Sequence, residues 1–190
     1  EALAAAGALT SLSGNRHLAF WEVAGTERPA PLAPRSTRAG DADEGRPLLN
    51  TPSTWQTVLA DYRSTGLTLG PHPMSLIREQ FDENVTRSAD LLRLPTGTQV
   101  KVAGVVLMRQ HPASAKGVTF MTIEDETGHV NLIVWENVAS AQRRPFLESR
   151  LLEVHGEFQN QEGVRHVIAR TLIDRSSLIG DLLARSRDFH

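Results

Sequence analysis

Between residues 99 and 173 the chain breaks into five short runs rich in Val, Ile, Leu and Thr, and this feature limits the fold more than any other. Residues 99–109 alternate loosely, and residues 117–124 alternate more strictly. Asp125-Glu126-Thr127-Gly128 forms a turn into a third run at 129–135, so the second and third runs read as a hairpin with a glycine-bearing loop. A polar, helical stretch follows at 136–147. Residues 151–158 then place Leu152, Val154 and Phe158 on one face, and Asn160-Gln161-Glu162-Gly163 turns the chain into a last run at 164–173.

Three strands, a helix and two further strands is the layout of the OB-fold, a small Greek-key barrel. Gly104 and Gly156 lie inside strands, where a small barrel must bend sharply. The expected fold class is therefore mainly β with flanking α: a five-stranded OB-fold barrel over 98–175, preceded by helices and a proline-rich linker.

The rest of the chain divides by composition. Residues 1–24 read as two short helices broken at Gly14-Asn15, too short to close a core of their own. Residues 25–53 interleave Pro29, Pro31, Pro34, Pro47 and Pro52 with charged residues and lose all apolar periodicity, so a flexible linker is expected, mobile over 30–50. Residues 54–97 read as a helical connector. In it Trp55, Val58, Leu59 and Tyr62 fall at helical spacing, and Pro73 opens a second helix carrying Met74, Ile77 and Phe81 on one side. Residues 176–190 read as a short helix at 178–183 and a basic tail.

Composition narrows the function classes. No run approaches the roughly 20 apolar residues that span a bilayer. Residues 1–9 open with an acid and lack the basic start of a signal peptide. The first residue is Glu rather than Met, and the chain is expected to be part of something longer. The absence of cysteine removes disulfides, thiolate metal sites and cysteine nucleophiles, and fits a reducing cytoplasm. The formal net charge is −2, so any nucleic-acid role rests on local placement of cations.

Three stretches carry a family resemblance. The segment Asp61-Tyr-Arg-Ser-Thr-Gly-Leu-Thr-Leu-Gly-Pro-His-Pro73 resembles the region between the helix-hairpin-helix and OB domains of bacterial error-prone DNA polymerases of the C family, relatives of the polymerase III alpha subunit. Lys116-Gly-Val-Thr-Phe-Met-Thr-Ile-Glu-Asp-Glu-Thr-Gly128, running into Val134-Trp135, resembles that family's second and third barrel strands. The terminal Arg187-Asp-Phe189 resembles its tail, and residues 1–24 its helix-hairpin-helix end. The Asp-x-Thr-Gly hairpin alone recurs in many OB domains; the 62–73 segment narrows the choice. The resemblance implies a cytoplasmic polymerase of damage-induced, mutagenic translesion synthesis. It implies two partners, an inactive Y-family-like protein linked to the sliding clamp and a RecA-like accessory protein. The parent's catalysis would use magnesium held by palm-domain acids; no such motif maps onto these 190 residues, so no catalytic residue and no cofactor is expected in this chain.

Single-stranded nucleic acid on an OB-fold needs cations for phosphates and flat side chains for bases, on a groove across strands two and three and its flanking loops. Arg109 and Lys116 bound the first loop, and Arg165 ends the second, which runs from Asn160. These three are the expected phosphate contacts, with His111 as a stacking residue. Thr119, Met121, His129 and Asn131 form the candidate outward set on the hairpin, a facing that a shift of one residue would reverse. Phe120 is expected in the core, and Trp135 packed at the barrel's end. Glu124, Asp125 and Glu126 are read as turn residues rather than metal ligands. His72, between two prolines, is expected to fix a loop. The seven histidines show no metal-ligand spacing.

Residues 98–175 hold two Lys and seven Arg against seven Glu and two Asp, so the barrel is close to neutral. The leading expectation is a module that holds single-stranded template. The competing one is a protein-interaction module docking accessory subunits, which the neutral barrel favours. An RNA-binding module of the anticodon-binding type stands third, opposed by the 62–73 segment.

Overall fold

The computed structural model describes residues 1–25, 49–112, 117–161 and 163–180. The chain divides into two compact units, Glu1–Leu67 and Thr68–His190. The stretch 54–97, read from the sequence as one connector, is thereby shared between them. Most of the linker expected over 25–53, most of its mobile part and the basic tail lie outside the described residues.

In the first unit α1 (Ala2–Ala5), α2 (Thr10–Ser13), α3 (Arg16–Ala24) and α4 (Thr54–Thr65) pack through small side chains: Ala4, Ala19 and Val58 are fully buried. The first stretch thus forms three short helices rather than two, because Gly7 turns the chain at φ 75° after α1. Asn15 caps α3 by accepting from the Leu18 N–H at 3.0 Å. Ser53 and Gln56 form a reciprocal capping box on α4, and Gly66 ends that helix in the left-handed region. The Arg16 guanidinium joins α3 to α4 through the Asp61 carboxylate and the Thr57 carbonyl.

The second unit is built on a closed barrel of β1 (Gln99–Gln110), β2 (Val118–Asp125), β3 (Gly128–Trp135), β4 (Leu151–Gln161) and β5 (Val164–Asp174), in the order β1-β2-β3-β5-β4. The expected mainly-β OB-fold class is borne out. β1 closes the barrel because it serves two partners. Its first half pairs with β4 from Gln99↔Glu157 to Val105↔Leu151, and its second half pairs with β2 from Val105↔Glu124 to Gln110↔Phe120. β3 and β5 run parallel, in register at Leu132↔Val167. Before the barrel come α5 (Pro73–Ile77), a single 3-10 turn at Arg78–Gln80, and α6 (Ser88–Leu91). Between β3 and β4 the expected single helix is two, α7 (Glu136–Ala141) and α8 (Arg143–Glu148). At the far end a 3-10 turn, Ser176–Leu178, stands where the helix over 178–183 was expected to begin.

Alternate residues of the strands fill one core, among them Val102, Met121, Ile123, Leu132, Val154 and Phe158. Leu91 of α6 belongs to it, and Val138, Ala139 and Phe146 from α7 and α8 pack against it. Two polar side chains fasten the α7–α8 pair. Gln142 donates to the Arg170 carbonyl at 2.9 Å and accepts from the Leu172 N–H at 2.7 Å, standing in for a strand neighbour of β5. Arg109 donates to the carbonyls of Phe146, at 2.8 Å, and Ser149, binding the end of α8. A cation at a helix C-terminus also faces the negative end of the helix dipole.

Asp125 ties α6 to the β2–β3 hairpin. Its Oδ1 accepts from the N–H groups of Thr127 at 2.7 Å and Gly128 at 3.0 Å and from the hydroxyls of Ser88 at 2.8 Å and Thr127 at 2.7 Å. Its Oδ2 accepts from the Ser88 N–H at 2.7 Å. Burial alone would raise this carboxyl, but the hydrogen bonds from Ser88 and Thr127 outweigh it and hold it below the ordinary carboxylate range. Beside it Arg78 grips Glu126 with two bonds, at 2.9 and 2.6 Å, and Arg87 adds a third contact at 3.2 Å.

The glycines inside the strands serve close approach. A Cβ on Gly156 would stand 2.2 Å from the Ile168 carbonyl oxygen, and one on Gly104 would stand 2.6 Å from that of Glu124. Gly156→Ala is therefore expected to force β4 and β5 apart and to lower stability by at least about 2 kcal/mol in urea unfolding followed by circular dichroism. An unchanged midpoint would mean that the barrel absorbs the methyl group.

The Asp125 anion, with its carboxyl held low in the fold, stabilises the native state above the unfolded pKa of about 3.9, and that stabilisation is lost as pH falls through the lower folded value. Asp125→Asn is expected to cost about 2–4 kcal/mol at pH 7, because the amide cannot accept all five bonds. The gap between wild type and variant should narrow as pH falls below about 4. Urea unfolding at neutral and acid pH measures both, and a gap that is constant with pH would refute the role of the charge.

Candidate nucleic-acid interface

The two-residue loop Glu126–Thr127 decides which side chains the hairpin turns outward. It pairs Asp125 with Gly128, Thr122 with Asn131 and Phe120 with Ile133, so each odd residue of β3 shares a face with an even residue of β2. The outward set is Phe120, Thr122 and Glu124 with His129, Asn131, Ile133 and Trp135, while Val130, Leu132 and Val134 point into the core. His129 and Asn131 therefore face outward as expected. Thr119 and Met121 do not: Thr119 is buried, and Met121, 1% exposed, is a core residue. Phe120 is 41% exposed rather than core, and Trp135 is 48% exposed rather than packed away.

β1 continues this face. A bulge between Val106 and Met108 leaves Leu107 and Met108 exposed, with Met108 opposite Thr122 and Gln110 opposite Phe120. The resulting surface carries two aromatic side chains, a thioether and two aliphatic side chains beside short polar groups. Its one carboxylate among the described residues is Glu124, which faces two imidazoles, His129 Nε2 at 3.4 Å and His72 Nε2 at 3.7 Å. His72 has a structural task as well: its Nδ1 accepts from the Met74 N–H at 3.1 Å and caps α5.

The expected site residues separate into two places. His111 and Thr119 bond to each other at 3.1 Å and, with Arg109, line a cleft of 390 Å³ against α7 and α8. Arg109 is held there by the two carbonyls of the helix end instead of being offered from a loop. His129, Asn131 and Arg165 line a second groove, of 310 Å³, between β3, α6 and the start of β5. Arg165 is exposed there, and among the described residues no carboxylate pairs with it. Lys116 lies outside the described residues.

Sequence reasoning missed Phe120 and Trp135 as surface residues and Leu92 and Val164 as walls of the second groove. The signal for Phe120 was available in the loop length. A two-residue connection with His129 outward requires Phe120 outward too. For Leu92 and Val164 the sequence held no signal, because their meeting depends on how α6 sits on the barrel.

Among the described residues no three His, Cys, Asp or Glu side chains are grouped to hold a metal ion. Glu124, Asp125 and Glu126 are each engaged as described above. None of the described helices is long and apolar enough to cross a membrane.

Residues 100–174 match the family described as OB-fold nucleic acid binding domain. The whole chain is 48% identical to the error-prone DNA polymerase of Pseudomonas paraeruginosa and 48% identical to that of Methylococcus capsulatus, and it spans 18% of the length of each. Asparaginyl-tRNA synthetase from Pyrococcus horikoshii is a similar solved structure, with a TM-score of 0.42 and 22% identity over 50% of this chain and 23% of its own. Over its whole length the chain is a homologue of part of the error-prone DNA polymerases, and its residues 100–174 form an OB-fold nucleic acid binding domain.

Proposed function

We propose that the barrel holds single-stranded template DNA for an error-prone polymerase acting in damage-induced translesion synthesis. The observation that carries this reading is the exposed Phe120 on the β2–β3 face, set among the uncharged Thr122, Asn131 and Ile133 and leading to the groove of Arg165. Bases stack on such a ring whatever their sequence, and a cation at the rim takes phosphate. This is the sequence tolerance that copying an arbitrary template needs. The polymerase chemistry and its magnesium would belong to the remaining length of a protein like the relatives, in the cytoplasm. An inactive Y-family-like protein and a RecA-like protein would be its partners. Homology to DNA polymerases over the full chain supports DNA over an RNA ligand of the anticodon type.

A second reading has its own support. The same face exposes Met108, Phe120 and Trp135 on a barrel with balanced charge, as a protein-docking surface for an accessory subunit would. The two readings differ in their salt dependence. Fluorescence anisotropy with labelled oligonucleotides at several salt concentrations is expected to show binding that weakens as salt rises. Arg165→Ala should weaken binding equally for different base sequences and lower the log-salt slope by about 0.7, the value for one phosphate on a single strand. Phe120→Ala should cost about 1–3 kcal/mol of binding while leaving that slope unchanged. Wild-type affinity and slope in both variants would shift the face to the protein-docking reading.

Arg109→Ala has a different expected outcome. Removing the guanidinium leaves the carbonyls of Phe146 and Ser149 without their donor, so the variant should lose about 1–3 kcal/mol of stability. Urea unfolding measures this loss. A variant as stable as wild type but weaker in DNA binding would return Arg109 to the phosphate role expected from the sequence.

A further inference from the structure

The groove of Arg165 has the makings of more than a rim for phosphate. Its walls are two aliphatic side chains from different elements: Leu92, which follows α6, and Val164, the first residue of β5. Leu92 is 58% exposed and Val164 64%, so among the described residues both leave apolar surface uncovered. His129 and Asn131 also line the groove from β3, with Arg165 and His166 from β5. Thr122 donates to the Asn131 Oδ1 at 3.2 Å, which leaves the amide N–H groups of Asn131 as donors.

We propose that this groove is a pocket for one unstacked nucleobase, entered from the β2–β3 face, with the phosphate of the same nucleotide on Arg165. The inference rests on the single-strand reading above and names a subsite of it. Three features fit this occupant. The volume of 310 Å³ lies at the small end of ligand pockets, enough for a base and its sugar but not for a helix. Apolar walls on two elements suit the faces of a flat ring, while amide and imidazole groups suit the ring carbonyls and nitrogens at its edge. The charge is complementary, since a cation without a carboxylate partner among the described residues stands beside the apolar walls. The pocket is also continuous with the outward face, because Asn131 belongs to both. A strand crossing Phe120 would reach it by turning one base sideways past Asn131.

The test uses the full chain in solution, labelled for amide NMR, titrated with thymidine 5′-monophosphate and separately with deoxyribose 5-phosphate, which carries the phosphate without the base. Wild type is compared with the double variant Leu92→Ala/Val164→Ala, both changes falling on exposed side chains. Wild type is expected to bind the nucleotide at least about fivefold more tightly than the base-free sugar phosphate, the low end of what stacking one base contributes. The shifts should centre on Leu92, the Asn131 side-chain amide and Val164. The double variant should bind both compounds with the weaker affinity. Equal wild-type affinity for the two compounds, or nucleotide shifts confined to the Phe120 face, overturns the pocket. A parallel anisotropy titration of wild type with single-stranded DNA separates the two claims: binding there without a seated base removes the pocket alone, and no binding there removes the single-strand reading.

Discussion

β1 has to serve two partners, and the rest of the second unit depends on how it does so. Its first seven residues pair with β4 and its last ones with β2, and the exchange takes place around Gly104 and Val105. At that corner the backbone of β2 comes so close that a methyl group on Gly104 would overlap the Glu124 carbonyl. Closure at this corner hides the inward half of every strand and consumes the sheet edges. It also commits the opposite half to solvent, and that half is the surface with functional potential. The bulge at Val106–Met108 follows directly after the corner and swings Leu107 and Met108 outward beside Thr122. The bend that closes the core therefore also widens the face.

Asp125 extends this logic to the ends of the strands. A buried carboxylate is costly unless its lone pairs are satisfied. Here five donors satisfy it, two from Ser88 at the start of α6 and three from the loop that follows β2. One side chain thus shapes the hairpin loop and seats α6 against it. The groove between α6, β3 and β5 is a consequence, since Leu92 follows α6 immediately and is placed by it. A turn aspartate whose immediate work is structural in this way positions a wall of the candidate site.

Much of the fold was legible in the sequence, and the facing of its surface was not, for a reason visible in β2 and β3. The strands stood out because their runs are short, β-rich and bounded by Gly and Asn, and Gly104 and Gly156 marked the bends. Within β2, however, Phe120 and Met121 are adjacent apolar residues flanked by threonines, and within β3 Leu132, Ile133, Val134 and Trp135 are continuous. Alternation is weak where both parities are apolar, and a one-residue error exchanges core for surface. Expecting Met121 outside and Phe120 inside was that error. Arg109 failed for a different reason. Its position after the Val-rich part of β1 suggested a loop cation, but its partners come from the end of α8, some 40 residues later. Contacts that distant leave no local pattern.

Net charge is a poor guide to what this barrel can hold, because its charges are not independent. Glu126 is held by Arg78 and Arg87, Glu153 by Arg175, Glu157 by Arg170 and Glu148 by Arg144. For Glu126 and Glu153, burial alone would raise the carboxyl, but hydrogen bonds and the facing cations keep it below its ordinary range, so both stay charged and paired at neutral pH. Each such pair cancels within a few ångströms and contributes little field a Debye length, about 8 Å, away. What a passing polyanion meets is the residue left over. Among the described residues on the face continuous with the outward hairpin that residue is Arg165, while the carboxylate Glu124 sits between two imidazoles at the far end of β2. A barrel that sums to zero can therefore still place a cation and apolar rings on one side.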